Sequence, residues 1–224
     1  MGYVASTATG CLAEKSSADV IIQIAKPVLR QKKLFLVTKR VFDIVCSFLG
    51  LLILAIPMMI IALIITIDSP GAPIFKQERL GINGKPFMIY KFRSMRLDAE
   101  ENGPQWADEQ DPRCTHFGQI LRRTRLDELP QLYNILRGDM SLVGPRPEIP
   151  RYVDHFKYSI PLYMVRHQVR PGITGWAQVN GLRGDTSIRA RVDYDLYYIE
   201  NWSMLFDLKI LLMTPFKGVG NRQE

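Results

Sequence analysis

The stretch TRLDELPQL, residues 124–132, sets two carboxylates side by side, Asp127 and Glu128, just downstream of Arg122, Arg123 and Arg125. Two readings are open. Asp127 is a good cap for a helix over residues 128–137, and Pro130 is tolerated because first-turn amides lack intrahelical partners. Alternatively, a helix N-terminus attracts phosphate. Two acids beside arginines there could hold a divalent cation against a polyphosphate and leave one carboxylate to attack phosphorus.

Other segments offer complementary chemistry. In GDMSLVGPRPE, 138–148, prolines flank Arg146 and stiffen the loop that presents its guanidinium, a group suited to bidentate phosphate contact. Glu148 closes that loop and is a candidate for sugar contact. KFRSM adds Lys91 and Arg93, and VRPGITGWAQVNG, 169–181, adds Arg170, three glycines that permit close backbone approach, and Trp176. In RVDYDLYYIENWS, Asp193 and Asp195 stand among aromatics as candidates for sugar hydroxyls or a metal, with a solvated helix face as the alternative. His116, His155 and His167 share no metal-ligand spacing and read as structural.

These groups need elements to position them. Residues 73–95 predict two strands joined at Asn83-Gly84, a strong hairpin signal. Residues 98–117 are polar and predict a loop. Helical periodicity resumes over 118–137 and stops at Gly138, a C-cap candidate. The amphipathic stretches 152–167 and 201–218 suit either core-facing helices or helices in a membrane interface. Trp202, Phe206, Phe216, Lys209 and Lys217 favour the interface for the second.

The segment 41–67, VFDIVCSFLGLLILAIPMMIIALIITI, carries only Asp43 as a charge and is long enough to cross a membrane. Pro57 divides it into arms of about 21 and about 15 Å, each short of a hydrocarbon core of roughly 30 Å. Both flanks are basic, with Lys32, Lys33, Lys39 and Arg40 before and Lys76 and Arg79 after, whereas a span is expected to be asymmetric. The expectation is a re-entrant helix broken at Pro57, with a proline-kinked span as the alternative.

The 224 residues carry 29 Lys+Arg against 22 Asp+Glu, a net charge of +7 that favours an anionic partner. A nucleic-acid binder is disfavoured because no recognisable motif is present and the apolar segment would go unexplained. The three cysteines lie far apart and argue against a disulfide or metal framework. The expected fold is α+β and mostly helical. It comprises an N-terminal extension over 1–34 on the membrane surface, a re-entrant helix over 35–72, and a cytosolic catalytic domain over 73–224 with a β-hairpin and interfacial helices.

Taken together, KRVFDIVCSFLGLLILAIP, FKQERLGINGKPFMIYKFRSM, LRRTRLDELPQLYNILRGDMSLVGPRPE, VRPGITGWAQVNG and DLYYIENWSMLFDLKILLMT resemble the bacterial sugar transferases, the monotopic phosphoglycosyl transferases, collinearly from about residue 35 to 217. The resemblance implies a cytoplasm-facing enzyme of the bacterial inner membrane. Its implied reaction moves a hexose 1-phosphate from a UDP-sugar to undecaprenyl phosphate with Mg²⁺ (or Mn²⁺), releasing UMP. It implies Asp127 as the nucleophile of a covalent sugar-phosphate intermediate, with Glu128 assisting through the metal or as a proton acceptor. Lys91, Arg122 and Arg146 fall on positions that the family associates with phosphate. One departure is Ile56, where some members carry a Ser before the membrane proline. The stretch from NGLRGDTS to FDLKILLMT resembles the glucose- or galactose-phosphate transferases more than those for N-acetylated sugars. A catalytically silent scaffold of a polysaccharide-assembly complex is the competing expectation, and a homodimer is compatible with the amphipathic helices.

Overall fold

A computed structural model describes residues 33–100, 111–184 and 186–217. Most of the predicted extension over 1–34, and residues 101–110 of the predicted 98–117 loop, lie outside the described residues. The chain is mostly helical, as expected. Helix α1, Lys33–Asp68, is followed by the hairpin strands β1, Ile74–Leu80, and β2, Pro86–Phe92. Helix α2, His116–Thr124, a 3₁₀ turn at Leu126–Glu128 and helix α3, Gln131–Arg137, come next. Short strands β3, Ser141–Val143, and β4, Gly172–Thr174, pair in parallel. Around them lie α4, Pro150–Ser159, a 3₁₀ helix at Tyr163–Gln168, α5, Trp176–Val179, α6, Ile188–Glu200, and α7, Met204–Lys217.

The hairpin turns at Asn83 (φ 56°) and Gly84 (φ 69°), the two left-handed residues that a tight hairpin turn demands. Its register pairs Gln77 with Ile89 and Phe75 with Lys91. Phe87, Ile89 and Lys91 share one face of β2, by the twofold alternation of strand side chains. Ile89 packs there against Ile135 of α3 and Met140. Asn134 fastens the two elements, donating to Met88 O at 2.7 Å and accepting from Tyr90 N at 3.0 Å.

Helix α1 runs 36 residues, and its helical conformation continues through Pro57, where the sequence predicts a break. Its middle is apolar and exposed, as at Leu52, Ile53, Ile56 and Met59, while both of its ends touch the folded domain. Near the start, buried Lys39 pairs with Asp207 of α7 at 2.6 Å, and Asp43 accepts from Leu142 N at 3.1 Å. Near the end, Ile61 and Ile65 are buried against Phe92 and Leu121. Arg40 donates to Ile135 O and Leu136 O and so caps α3 from outside. Lys39 and Arg40 therefore serve packing, which weakens the reading of this flank as a topology signal alone.

The main core gathers Val143, Val179, Tyr198, Ile199, Trp202 and Ile210. Of the two readings of this stretch, Trp202 takes the core-facing one: it is 5% exposed and meets Phe35 edge-on at 5.0 Å. It begins the chain's return from α6 to α7, so its ring fills the joint between them. The exposed apolar face of α7 is instead Leu205, Leu208, Leu212 and Phe216.

Candidate active site

The helix expected over 128–137 starts later and is entered differently. Arg125 adopts a left-handed conformation (φ 61°, ψ 16°) that ends α2 and begins the 3₁₀ turn. An ordinary residue reaches this region only at a cost of roughly 1 kcal/mol or more. The turn carries Asp127 and Glu128, and Pro130 stands at the N-cap of α3. Asp127 is thus no cap. Released from that duty, the residue is buried to 8% exposure, and no side chain caps α3.

Three cations converge on the pair. Lys91 Nζ, at the end of the β2 face that packs on α3, lies 2.7 Å from Glu128 Oε1 and 3.8 Å from Asp127 Oδ2. Arg146 Nη2 is 3.1 Å from the same Glu128 oxygen. Arg122 donates to Cys114 Sγ at 2.9 Å and adds its positive field to Asp127. The two carboxylates respond oppositely. Burial, with the neighbouring Glu128 charge, raises the Asp127 pKa above the ordinary aspartate value, against the pull of Lys91, Arg146 and Arg122. Although burial opposes it, Glu128 is held well below the usual range by Lys91 and Arg146. Glu128 is therefore a fixed anion neutralised by two cations, and Asp127 is a desolvated carboxylate with less firmly bound partners.

The loop bearing Arg146 is tied down from several sides. Arg79 donates to Pro147 O at 3.1 Å, Leu80 N to Glu148 O at 3.0 Å, and Arg166 Nη2 to Arg146 O at 3.1 Å. Gly144 is needed at its base, because a Cβ there would overlap the Arg170 carbonyl. Gln178 Oε1 accepts from Arg146 Nη1 at 3.4 Å.

The remaining predicted residues divide. Glu148 and Asp195 pair with arginines other than those beside Asp127. They sit in a buried network, with Arg191 3.1 Å and Arg166 3.8 Å from Glu148, and Arg166 2.8 Å from Asp195. Asp193 occupies the exposed face of α6. Trp176 stacks near Tyr194 and Tyr197, meets Phe206 edge-on at 5.0 Å, and has Lys209 Nζ 5.3 Å from its centre. Arg93 is committed to the end of α1, donating to Ser69 O and Pro70 O. Arg170 donates to Gly138 O at 3.0 Å, at the far end of α3 from Asp127. Sequence reasoning missed Gln178 and Arg166 as supports of Arg146, and it passed over Arg125 as a site residue. Arg125 is half-buried and its charge acts on Glu128 and Asp127. Its place directly before the acidic pair was the available signal.

Carboxylate oxygens such as those of Asp127 and Glu128 are of the type a hard divalent cation takes, although Glu128 Oε1 is already paired with Lys91 and Arg146. Among the described residues no group of three His, Cys, Asp or Glu could hold a metal. Two carboxylates completed by substrate phosphates and water are nonetheless the usual setting for Mg²⁺.

The sequence matches a family of known proteins. The bacterial sugar transferase family matches residues 34–221. The chain is 47% identical over 188 residues to a UDP-glucose:undecaprenyl-phosphate glucose-1-phosphate transferase of Escherichia coli (strain K12), covering 82% of this chain and 40% of that protein. It is 45% identical over 178 residues to a UDP-N-acetylgalactosamine-undecaprenyl-phosphate N-acetylgalactosaminephosphotransferase of Aeromonas hydrophila, covering 79% and 42%. It is also 48% identical over 187 residues to the exopolysaccharide production protein PSS of Rhizobium leguminosarum bv. phaseoli, covering 80% and 94%. The chain spans about two fifths of the length of several of these curated relatives. With a match over most of its length and close identity to such relatives, the chain belongs to the bacterial sugar transferase family.

Proposed function

We propose that the protein transfers a hexose 1-phosphate, glucose 1-phosphate in the first instance, from a UDP-sugar to undecaprenyl phosphate and releases UMP. The observation that carries this reading is the contrast within the acidic pair. Asp127 is buried and raised in pKa while Glu128 saturates Lys91 and Arg146. A poorly solvated carboxylate beside phosphate-binding cations is a suitable nucleophile.

In the first step an Asp127 carboxylate oxygen attacks the sugar-bearing phosphorus. The bond from that phosphorus to the bridging oxygen breaks, and UMP leaves with the electron pair. In the second step a phosphate oxygen of the lipid attacks the same phosphorus and Asp127 departs as a carboxylate. No net proton is consumed between the two steps. Lys91, Arg146 and Arg122 stabilise charge on the transferred phosphoryl group. Glu128 keeps Lys91 and Arg146 fixed between turns of the cycle. Asp127 and Glu128 are the residues that would hold Mg²⁺, which when bound neutralises diphosphate charge.

The re-entrant, cytoplasm-facing arrangement is supported by contacts at both ends of α1. Lys39 and Asp43 on one arm and Ile61 and Ile65 on the other engage the same domain, which suits an apolar middle dipping into one leaflet. The exposed row Leu205, Leu208, Leu212 and Phe216 suits α7 lying in the interface. Such an anchor keeps the nucleophile at the boundary that both a water-soluble nucleotide sugar and a lipid phosphate can reach. The relatives include transferases named for glucose and for N-acetylgalactosamine, so the sugar is read by experiment. Radiolabelled UDP-glucose, UDP-galactose and UDP-N-acetylgalactosamine are compared for UMP release and label on lipid. UDP-glucose is expected to lead, and no UMP from any of them would return the protein to a scaffold role.

A further inference from the structure

A largely apolar cavity with Lys39, Arg40, Asp43 and Arg170 on its wall lies away from Asp127, at the base of α1. It has a volume of about 450 Å³ and is lined by Val37, Arg40, Val41, Ser141, Gln168 and Arg170, among others. Arg40 and Arg170 reach the C-terminal end of α3, through Ile135 O, Leu136 O and Gly138 O. The acidic pair precedes the opposite end of that helix, roughly 10 Å away along its axis.

Several observations point to a ligand. Arg170 uses only Nε, and among the described residues its two terminal nitrogens have no hydrogen-bond partner. After burial, its charge is the main influence lowering the Arg40 pKa, while Asp43 and Asp139 act in the opposite sense. Among the described residues Ser141 Oγ and Gln168 Oε1 are buried without a hydrogen-bond partner, and Ser141 is fully buried. Burying polar atoms unsatisfied costs roughly 1–3 kcal/mol each. A phosphate ester would accept from Arg170 and Ser141, and a headgroup hydroxyl would donate to Gln168 Oε1.

The cavity also opens onto an apolar track. Val37 and Val41 line it and are 61% and 55% exposed, and Val45, Phe48 and Leu52 continue the same helical stripe along α1. These positions recur at intervals of three or four, so they form one face of the helix. A cationic, hydrogen-bonding head pocket joined to an apolar track along the anchoring helix matches a phosphate headgroup with an acyl chain.

We propose that this cavity binds the headgroup of an anionic phospholipid such as phosphatidylglycerol, with its acyl chain on the Val41–Leu52 stripe. The lipid is not the acceptor substrate, because its phosphate would sit at the wrong end of α3 for attack at Asp127. It acts as a wedge that neutralises Arg170 and fixes where α1 leaves the domain. The proposal rests on α1 contacting lipid and not on the reaction assigned to Asp127.

The test is lipid retention, read independently of transfer. The full chain in detergent is exposed to equimolar phosphatidylglycerol and phosphatidylcholine, and bound lipid is read by native mass spectrometry. Wild type is expected to retain phosphatidylglycerol about tenfold over phosphatidylcholine, the gain of a charge-assisted contact. Arg170→Gln should abolish the preference and Arg170→Lys should keep most of it. Val41→Asp, at an exposed position that need not disturb folding, should lower retention of both lipids. Thermal melts confirm that each variant is folded. Equal retention of the two lipids, or an unchanged preference in Arg170→Gln, overturns the proposal. So does displacement by inorganic phosphate, which identifies a soluble-anion site. One-for-one displacement by undecaprenyl phosphate overturns it as well, because the cavity would then be the acceptor's.

Discussion

The acidic pair works through a difference between two adjacent carboxylates, and that difference can be measured. Asp127 has a raised pKa, so its ionised form is a cost to the folded state. Its favourable contribution exists only below the unfolded aspartate value and is lost as pH rises through the folded one. Asp127→Asn should therefore abolish transfer, by a factor on the order of 10³ or more, while raising the melting temperature at neutral pH. Glu128 has the opposite sign. Its depressed pKa contributes stability above the unfolded glutamate value, and that stability falls away only in acid. Glu128→Gln leaves Lys91 and Arg146 without their anion and should lower stability by roughly 2 kcal/mol. Differential scanning fluorimetry of the two variants checks this divergence. A pH profile gives a second check. Lys91 is the largest force holding the Asp127 pKa down, so Lys91→Gln should shift the acid limb of kcat/KM to higher pH as well as lowering its plateau.

Elements determine whether those residues meet. The pairing of Lys91 with Glu128 depends on β2 packing on α3, and Asn134 fixes that contact through two backbone bonds. Helix α1 is held by Lys39 and Asp207, which also accepts from Tyr198 at 2.7 Å. Asp207→Asn strands a buried ammonium and should cost about 3 kcal/mol in chemical denaturation. The double variant Lys39→Met, Asp207→Leu should recover most of that loss, and no recovery would mean that the pair does more than neutralise itself. At this scale the sequence was readable in places. Asn83-Gly84 and Gly138 marked their turns because each position requires a left-handed backbone. The start of α3 was misplaced because Arg125, an ordinary residue, takes the left-handed conformation that breaks the helix before the acidic pair. Composition gives no sign of that break.

For the molecule as a whole, the legible features were those with local chemistry or strong periodicity. The apolar run, the hairpin, the acidic pair, Lys91 and Arg146 all qualify. The roles of Glu148 and Asp195 were not legible, because each is defined by Arg166 and Arg191, which fold back from distant segments. The place of Trp202 was not legible for the same reason, since an aromatic ring suits a core and an interface equally until its neighbours are known. The re-entrant reading makes its own prediction. Single cysteines at Val37 and Ile67, both exposed near opposite ends of α1, should react from the cytoplasmic side with a membrane-impermeant maleimide in a background where the native cysteines are replaced. Labelling from opposite sides would establish a span.

The central claim is that Asp127 becomes covalently attached to the sugar phosphate, and it is tested most directly without any acceptor lipid. Purified protein is mixed with UDP-glucose labelled in the hexose, quenched, digested and mapped by mass spectrometry. The account predicts one hexose phosphate per active protein on the peptide containing Asp127, with matching UMP release, discharge on adding undecaprenyl phosphate, and no label in Asp127→Asn. Transfer to lipid in the Asp127→Asn protein at the wild-type rate, or label on any other residue, would contradict it.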